Sequence, residues 1–154
     1  QLPGLGSLAV FESQATNLLP SADGNGSLSD IYVKDLTTGT VALVSRATDG
    51  SPANGASSGA WSSDDGDTIA FSSLATNLVP GAVAAKNGTI RQAYLRVGNP
   101  FSQSVRYLYL SKNLATNALG NGDSINLRLT PDGRVGVFRD RYGNRWDLLE
   151  DRTA

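Results

Sequence analysis

The chain of 154 residues has no cysteine, no histidine and no methionine. Without His and Cys it cannot assemble a Ser-His-Asp triad, a Cys-His pair, a His/Cys zinc site or a disulfide. The lack of cysteine fits reducing and oxidising compartments alike. Without methionine, residue 1 is not an initiator, and Gln1 is expected to follow a cleavage or to mark the edge of a fragment. Charge of either sign is also short: a formal net charge of −1 removes any general attraction to nucleic acid or to an anionic membrane. Long apolar runs are missing as well. The stretch from Thr68 to Ala85 carries no charge, but Ser72, Ser73, Asn77, Pro80 and Gly81 interrupt it, so no direct membrane span is expected.

What the chain does contain is turn and strand material. Glycine occurs 17 times, and 40% of residues are apolar, enough to bury a core. The sequence repeats itself. Residues 11–20, Phe-Glu-Ser-Gln-Ala-Thr-Asn-Leu-Leu-Pro, return at 71–80 as Phe-Ser-Ser-Leu-Ala-Thr-Asn-Leu-Val-Pro, with seven of the ten positions identical. A second register links Asn54-Gly55-Ala56-Ser57, Asp65-Gly66 and Phe71 to Asn121-Gly122-Asp123-Ser124, Asp132-Gly133 and Phe138. Three units follow, with approximate bounds 1–50, 51–117 and 118–154, the last incomplete.

Within each unit the apolar residues have the period of strands. Asp30–Leu36 alternates, Thr37-Thr38-Gly39-Thr40 makes a turn, and Val41–Ser45 is a second apolar run, together a hairpin. Gln92–Val97 and Val105–Leu110 repeat that pair across a longer loop from Gly98 to Ser104. Thr68–Ser72 and Arg134–Phe138 supply the strand after each Asp-Gly turn. No window carries a capped stripe of helical period. The expectation is an all-β chain of about three four-stranded antiparallel units, each apolar on both faces and therefore stacked side by side as the blades of a partial β-propeller.

The segments Ala60-Trp61-Ser62-Ser63-Asp64-Asp65-Gly66-Asp67-Thr68-Ile69-Ala70-Phe71-Ser72-Ser73 and Asp30-Ile31-Tyr32-Val33-Lys34-Asp35-Leu36 resemble the TolB-type (WD40-like, PD40) β-propeller repeat. The third unit is similar in Leu129–Arg134 and Gly143–Leu149. The Ala-Thr-Asn-Leu-x-Pro extension resembles a variant of secreted bacterial propellers, which implies a periplasmic or extracellular setting and protein partners. Unit two departs from the pattern at Gln92-Ala93-Tyr94-Leu95 and in the loop from Gly98 to Ser104, places that have drifted or serve another use.

Four groupings could carry chemistry. Asp23, Asn25, Ser27 and Asp30 offer side-chain oxygens at alternating positions, suited to calcium; against that, Lys34 stands where an EF-hand loop needs Glu, and the equivalent loop of unit two loses both acids. The alternative is a plain Asn-Gly turn. Ser62-x-Asp64-x-Gly66-x-Thr68 fits the Asp-box frame of sialidase-like propellers, yet Thr130-Pro131-Asp132-Gly133 keeps only the Asp-Gly turn, which reads as a turn staple between strands. Asp64, Asp65 and Asp67, and again Asp140, Asp147, Glu150 and Asp151, bunch carboxylates without identifying a pair held across a cleft for glycosidase work. Arg139, Arg141, Tyr142 and Arg145, with Trp146, are of the types found at partner contacts, though the arginines alternate with Asp140 and Asp147 as solvated pairs. Asn25-Gly26-Ser27 and Asn87-Gly88-Thr89 also fit the N-glycosylation sequon.

The expected function is a non-catalytic binding or scaffold module, with protein partners or further propeller blades on its edge strands and no required cofactor. The alternatives are a calcium-stabilised or carbohydrate-binding propeller, or the propeller portion of a hydrolase whose catalytic groups lie outside this chain.

Overall fold

A computed structural model describes residues 7–21, 23–79, 89–104, 106–111, 118–140 and 145–149, with backbone alone at 135–140 and 145–149. The described residues are all β and contain no helix. Ten strands run in chain order: β1 Leu8–Ser13, β2 Asp30–Asp35, β3 Val41–Leu43, β4 Ser57–Ser62, β5 Thr68–Ser73, β6 Gln92–Val97, β7 Arg106–Tyr109, β8 Ser124–Leu129, β9 Val135–Asp140 and β10 Arg145–Leu149. They form three antiparallel sheets, β1-β2-β3, β4-β5-β6-β7 and β10-β9-β8. None closes on itself, and neighbours in sequence are neighbours in space, as hairpin connections dictate.

The three sheets repeat one register. Phe11 faces Tyr32, Phe71 faces Tyr94 and Phe138 faces Trp146 across the same pair of strands. In the first two sheets the rings stack, with centroids 5.7 and 5.8 Å apart, a cross-strand contact worth about 0.5–1.5 kcal/mol beyond area burial. By this register β1, β2 and β3 correspond to β5, β6 and β7, and β8, β9 and β10 to β4, β5 and β6. Among the described residues only the second sheet has the expected four strands. Among the described residues the first has no counterpart of β4 and the third none of β7, which leaves β1 and β10 with one unpaired backbone edge each.

The first strand of the second and third sheets carries the same irregularity. Pairing of β4 with β5 shifts by one residue between Ser58 and Trp61, and that of β8 with β9 between Ile125 and Arg128. The residues within these bulges, Gly59 and Asn126, have φ of 67° and 57°, the left-handed region in which glycine and, less readily, asparagine are tolerated.

The core lies between sheets. Ile31, Val33, Val44, Ala53, Ile69, Phe71, Ala75, Leu78 and Tyr94 form one buried cluster across the first two units; Ala70, Ala93, Leu95, Leu110, Leu127 and Leu129 form another across the second and third. Both faces of the second sheet are buried, Ile69, Phe71 and Tyr94 on one side and Ala70, Ala93 and Leu95 on the other, so β5 and β6 are covered along nearly their whole length. Backbone bonds stitch the units with one geometry: Ser57 N donates to Ser29 O, and Ser124 N to Arg91 O, both at 2.8 Å.

Candidate functional site

The groupings singled out in sequence fall in separate places. The Asp-Gly turns are staples. The Ser63 hydroxyl donates to Asp65 Oδ1 at 2.5 Å, and the Asp67 amide donates to the same oxygen at 3.0 Å. Thr130, Asp132 and Arg134 repeat this at 2.6 and 3.0 Å. A neutral hydroxyl and a backbone amide thereby close the tip between two strands. The carboxylate that does so is Asp65 rather than the Asp64 of the Asp-box frame; the Asp64 amide donates to Pro131 O of the next unit at 2.8 Å. Of the basic group, Arg139 and Arg145 face each other in the β9–β10 register, while Arg141 and Tyr142 lie outside the described residues. Glu150 and Asp151, and the second sequon except Thr89, lie outside them as well.

The Asp23 to Asp30 loop is brought together in part. Asp23 and Asp30 are buried, whereas Ser27 is exposed and Asn25 half-buried. Asn25 Nδ2 donates both to Asp30 Oδ2 at 2.7 Å and to Ala53 O at 2.9 Å, and the Ser45 hydroxyl donates to Asp30 Oδ1 at 2.7 Å. The second sheet makes the same joint from different residues: the Ser111 hydroxyl donates to Gln92 Oε1 at 2.6 Å, and Gln92 Nε2 donates to Gly120 O at 2.9 Å. In both, the serine hydroxyl also accepts from the backbone, Ile31 N and Ala93 N, at 3.0 Å. Asp30 and Asn25 together therefore supply what Gln92 supplies alone, an acceptor for the serine and an N–H for the carbonyl of the following unit. Asp30 is held above the usual carboxylate range by burial first, then by the nearby Asp23, against the opposing bonds from Ser45 and Asn25. The donor set offers a cation two buried oxygens without a hydrogen-bond partner, Asp23 Oδ1 and Asn25 Oδ1, while Asn25 presents its nitrogen to Asp30.

Asp23 also lines an open cavity of about 390 Å³ between the first and second units. One wall is β3 with Thr40; another is the loop from Gly98 to Ser104, through Pro100, Phe101 and Gln103. Two arginines anchor that loop. Arg46 Nη2 donates to Ser102 O at 2.6 Å, and the fully buried Arg96 donates from Nη2 to Pro100 O at 3.3 Å. Burial lowers the Arg96 pKa, opposed by Tyr107. The Tyr107 hydroxyl donates to Val44 O at 3.0 Å and Arg46 O at 2.6 Å, and burial raises its pKa. Arg46 Nε is buried without a partner, so the cavity is bordered by residues carrying an unused acceptor, on Asp23, and an unused donor. Sequence reasoning missed Arg46, Arg96 and Tyr107; the one signal for them was the departure of the Gly98 to Ser104 loop from the repeat pattern.

A further assembly surrounds the Ala-Thr-Asn-Leu motif of unit two. Asn77 Oδ1 accepts from Asn54 N at 3.0 Å, and Asn77 Nδ2 donates to Pro52 O at 2.9 Å. Thr76 N donates to Asn54 Oδ1 at 2.8 Å, and Asn54 Nδ2 to the Thr76 hydroxyl at 2.8 Å. The motif thus clamps the segment that leads into β4. Gly55 is required by this approach, since a Cβ there would lie 2.7 Å from Ala75 N and Leu74 C.

No protein-family model matches the chain, and no curated protein matches it.

Proposed function

We propose that the chain is a non-catalytic β-propeller portion acting as a binding or scaffold module, its unpaired sheet edges completed by further blades or by a protein partner. The observation that supports this best is the unit-to-unit stitch, Ser57 N to Ser29 O and Ser124 N to Arg91 O at one distance, together with the edges of β1 and β10 that have no partner strand among the described residues. Unpaired edges recruit strands, and proteins that keep them soluble cover them. The extracytoplasmic setting rests on the resemblance of the Ala-Thr-Asn-Leu-x-Pro extension to secreted bacterial propellers. Light scattering on the isolated chain tests the reading: self-association, or co-purification with a strand-donating partner, is expected, and a stable monomer of 16.1 kDa across the micromolar range would overturn it.

The cavity favours one second reading, a small polyhydroxylated ligand such as a saccharide. Its border combines an aromatic ring, Phe101, with Asp23, Arg46 and Gln103, the mixture of apolar wall and few polar groups that ligand pockets use. Calorimetric titration with simple sugars is the test; heats no larger than dilution for all of them discard it.

A further inference from the structure

In unit two, a first strand is received by two features acting together: the edge of β5 and the Ala75-Thr76-Asn77 clamp. Ser57 and Trp61 of β4 pair with Ser73 and Ala70, and the buried Ser57 and Ser73 hydroxyls share a hydrogen bond of 2.9 Å. Ser73 Oγ also accepts from Ala75 N at 3.0 Å, and the Tyr94 hydroxyl donates to Ala75 O at 3.3 Å.

Unit one presents the same receiver. Ser13 Oγ accepts from Ala15 N at 3.0 Å, and the Tyr32 hydroxyl donates to Ala15 O at 3.3 Å. The motif therefore already has the backbone course it has in unit two. What differs is the occupant. Thr16 and Asn17 are exposed, and among the described residues their side chains make no hydrogen bond to the rest of the chain, whereas Thr76 and Asn77 hold Pro52 and Asn54. Leu18 is half-buried where Leu78 is fully buried. On this register the edge of β1 offers Ser13, Glu12, Val10 and Ala9 at the positions where Ser73, Ser72, Ala70 and Ile69 receive β4.

We infer that Ala15-Thr16-Asn17 and the edge of β1 that has no partner strand among the described residues form a preorganised socket for an extended Pro-x-Asn-Gly-x-Ser segment belonging to an additional repeat unit. The occupant is not the corresponding segment of a second copy, because there Pro52–Ser57 is already held by Ala75, Thr76 and Asn77. The chemistry is specific. The segment's Asn amide pairs with Thr16, its backbone before and at that Asn meets the Asn17 amide, its Gly passes within contact of the Ala15 backbone where a Cβ does not fit, and its Ser hydroxyl meets Ser13. This inference rests on the edge-completing reading above and adds the identity of what completes it.

The test is to fuse a second copy of residues 51–62 directly ahead of Pro3, in place of Gln1 and Leu2, so that the five residues 3–7 connect the added strand to β1 as residues 63–67 connect β4 to β5. Joining them makes docking intramolecular, at an effective concentration of order millimolar. The extended chain is expected to melt several degrees above the parent. Most of that gain should disappear when the added segment carries alanine in place of its Asn and Gly, and equally when the body carries Asn17→Ala; Asn17→Ala in the parent should leave its melting temperature unchanged. If the native and altered extensions stabilise equally, the socket is wrong while edge pairing stands. If neither stabilises the chain, edge completion at β1 fails with it.

Discussion

Asp30 and Gln92 occupy the same station in successive sheets, opposite Ser13 and Ser73 respectively, and each accepts a hydrogen bond from a buried serine, at 2.7 and 2.6 Å. One is a buried acid; the other is neutral and reaches the next unit unaided. The acid carries a pH dependence that the amide does not.

Burial raises the Asp30 pKa in the folded protein above the ordinary 3.8. The folded state then binds a proton more tightly than the unfolded state, so the stability gained from protonation is present on the acid side and lost as pH rises through the folded value. Urea unfolding of the native chain and of Asp30→Asn between pH 4 and 7.5 should give a stability difference that favours the native chain increasingly as pH falls. A difference independent of pH would show that burial does not raise the Asp30 pKa. Asp35 and Asp49, whose carboxyls are lowered by local bonds from Thr37 and Ser51, slope the other way and cancel in the comparison.

Asn77 and Asn17 are the same residue of the repeat with different work to do. Asn77→Ala removes bonds to Pro52 O and Asn54 N and should cost about 1–3 kcal/mol, while Asn17→Ala on the exposed counterpart should fall within about 0.5 kcal/mol of zero. Denaturant midpoints of the two variants decide it, and equal losses would dissolve the clamp.

The bulge in β4 predicts an order of tolerance at Gly59. Asn126 occupies the equivalent place in β8 at φ 57°, so Gly59→Asn should cost less than about 1 kcal/mol, whereas the β-branched Gly59→Val should cost more, since a left-handed backbone is hardest on such side chains. Thermal melts of both variants give the ranking, and a valine as well tolerated as asparagine would contradict the geometry.

Arg46 should control the cavity wall. Arg46→Met keeps much of the stem but removes the bonds to Ser102 O and Gln103, so loop 98–104 should open more often, and chymotrypsin should cut after Phe101 several times faster than in the native chain. Unchanged cleavage would place the anchoring with Arg96 alone.

Much of the strand order was legible because it rests on local signals. The Asp65-Gly66 and Asp132-Gly133 turns, and the alternation from Ile31 to Val33, declare their conformation within a few residues. The joints between units were not legible. Gln92 read as drift from the Asp-Ile-Tyr-Val opening or as a change of use, because nothing in one dimension says that Asp30 borrows the amide of Asn25 to reach Ala53 O. The run Asp23, Asn25, Ser27 and Asp30 reads alike as calcium ligands or as an Asn-Gly turn, because alternating side-chain oxygens look the same in one dimension whichever use they have. Arg46 and Tyr107 meet across 61 residues of chain, a contact that no local pattern encodes.

Among the described residues, the sheet edges left without a neighbour in the first and third sheets are unlike: beside β1 stands no counterpart of β4, beside β10 none of β7. A joint that matches one to the other is therefore heterologous, running head to tail, and every joint leaves the same pair of unlike ends exposed at the extremes. Such a joint does not terminate at a two-fold dimer; repeated, it stops only when the rotation per step closes a ring, and otherwise continues as a filament. The angle between neighbouring sheets thus sets the stoichiometry of any assembly built through these edges.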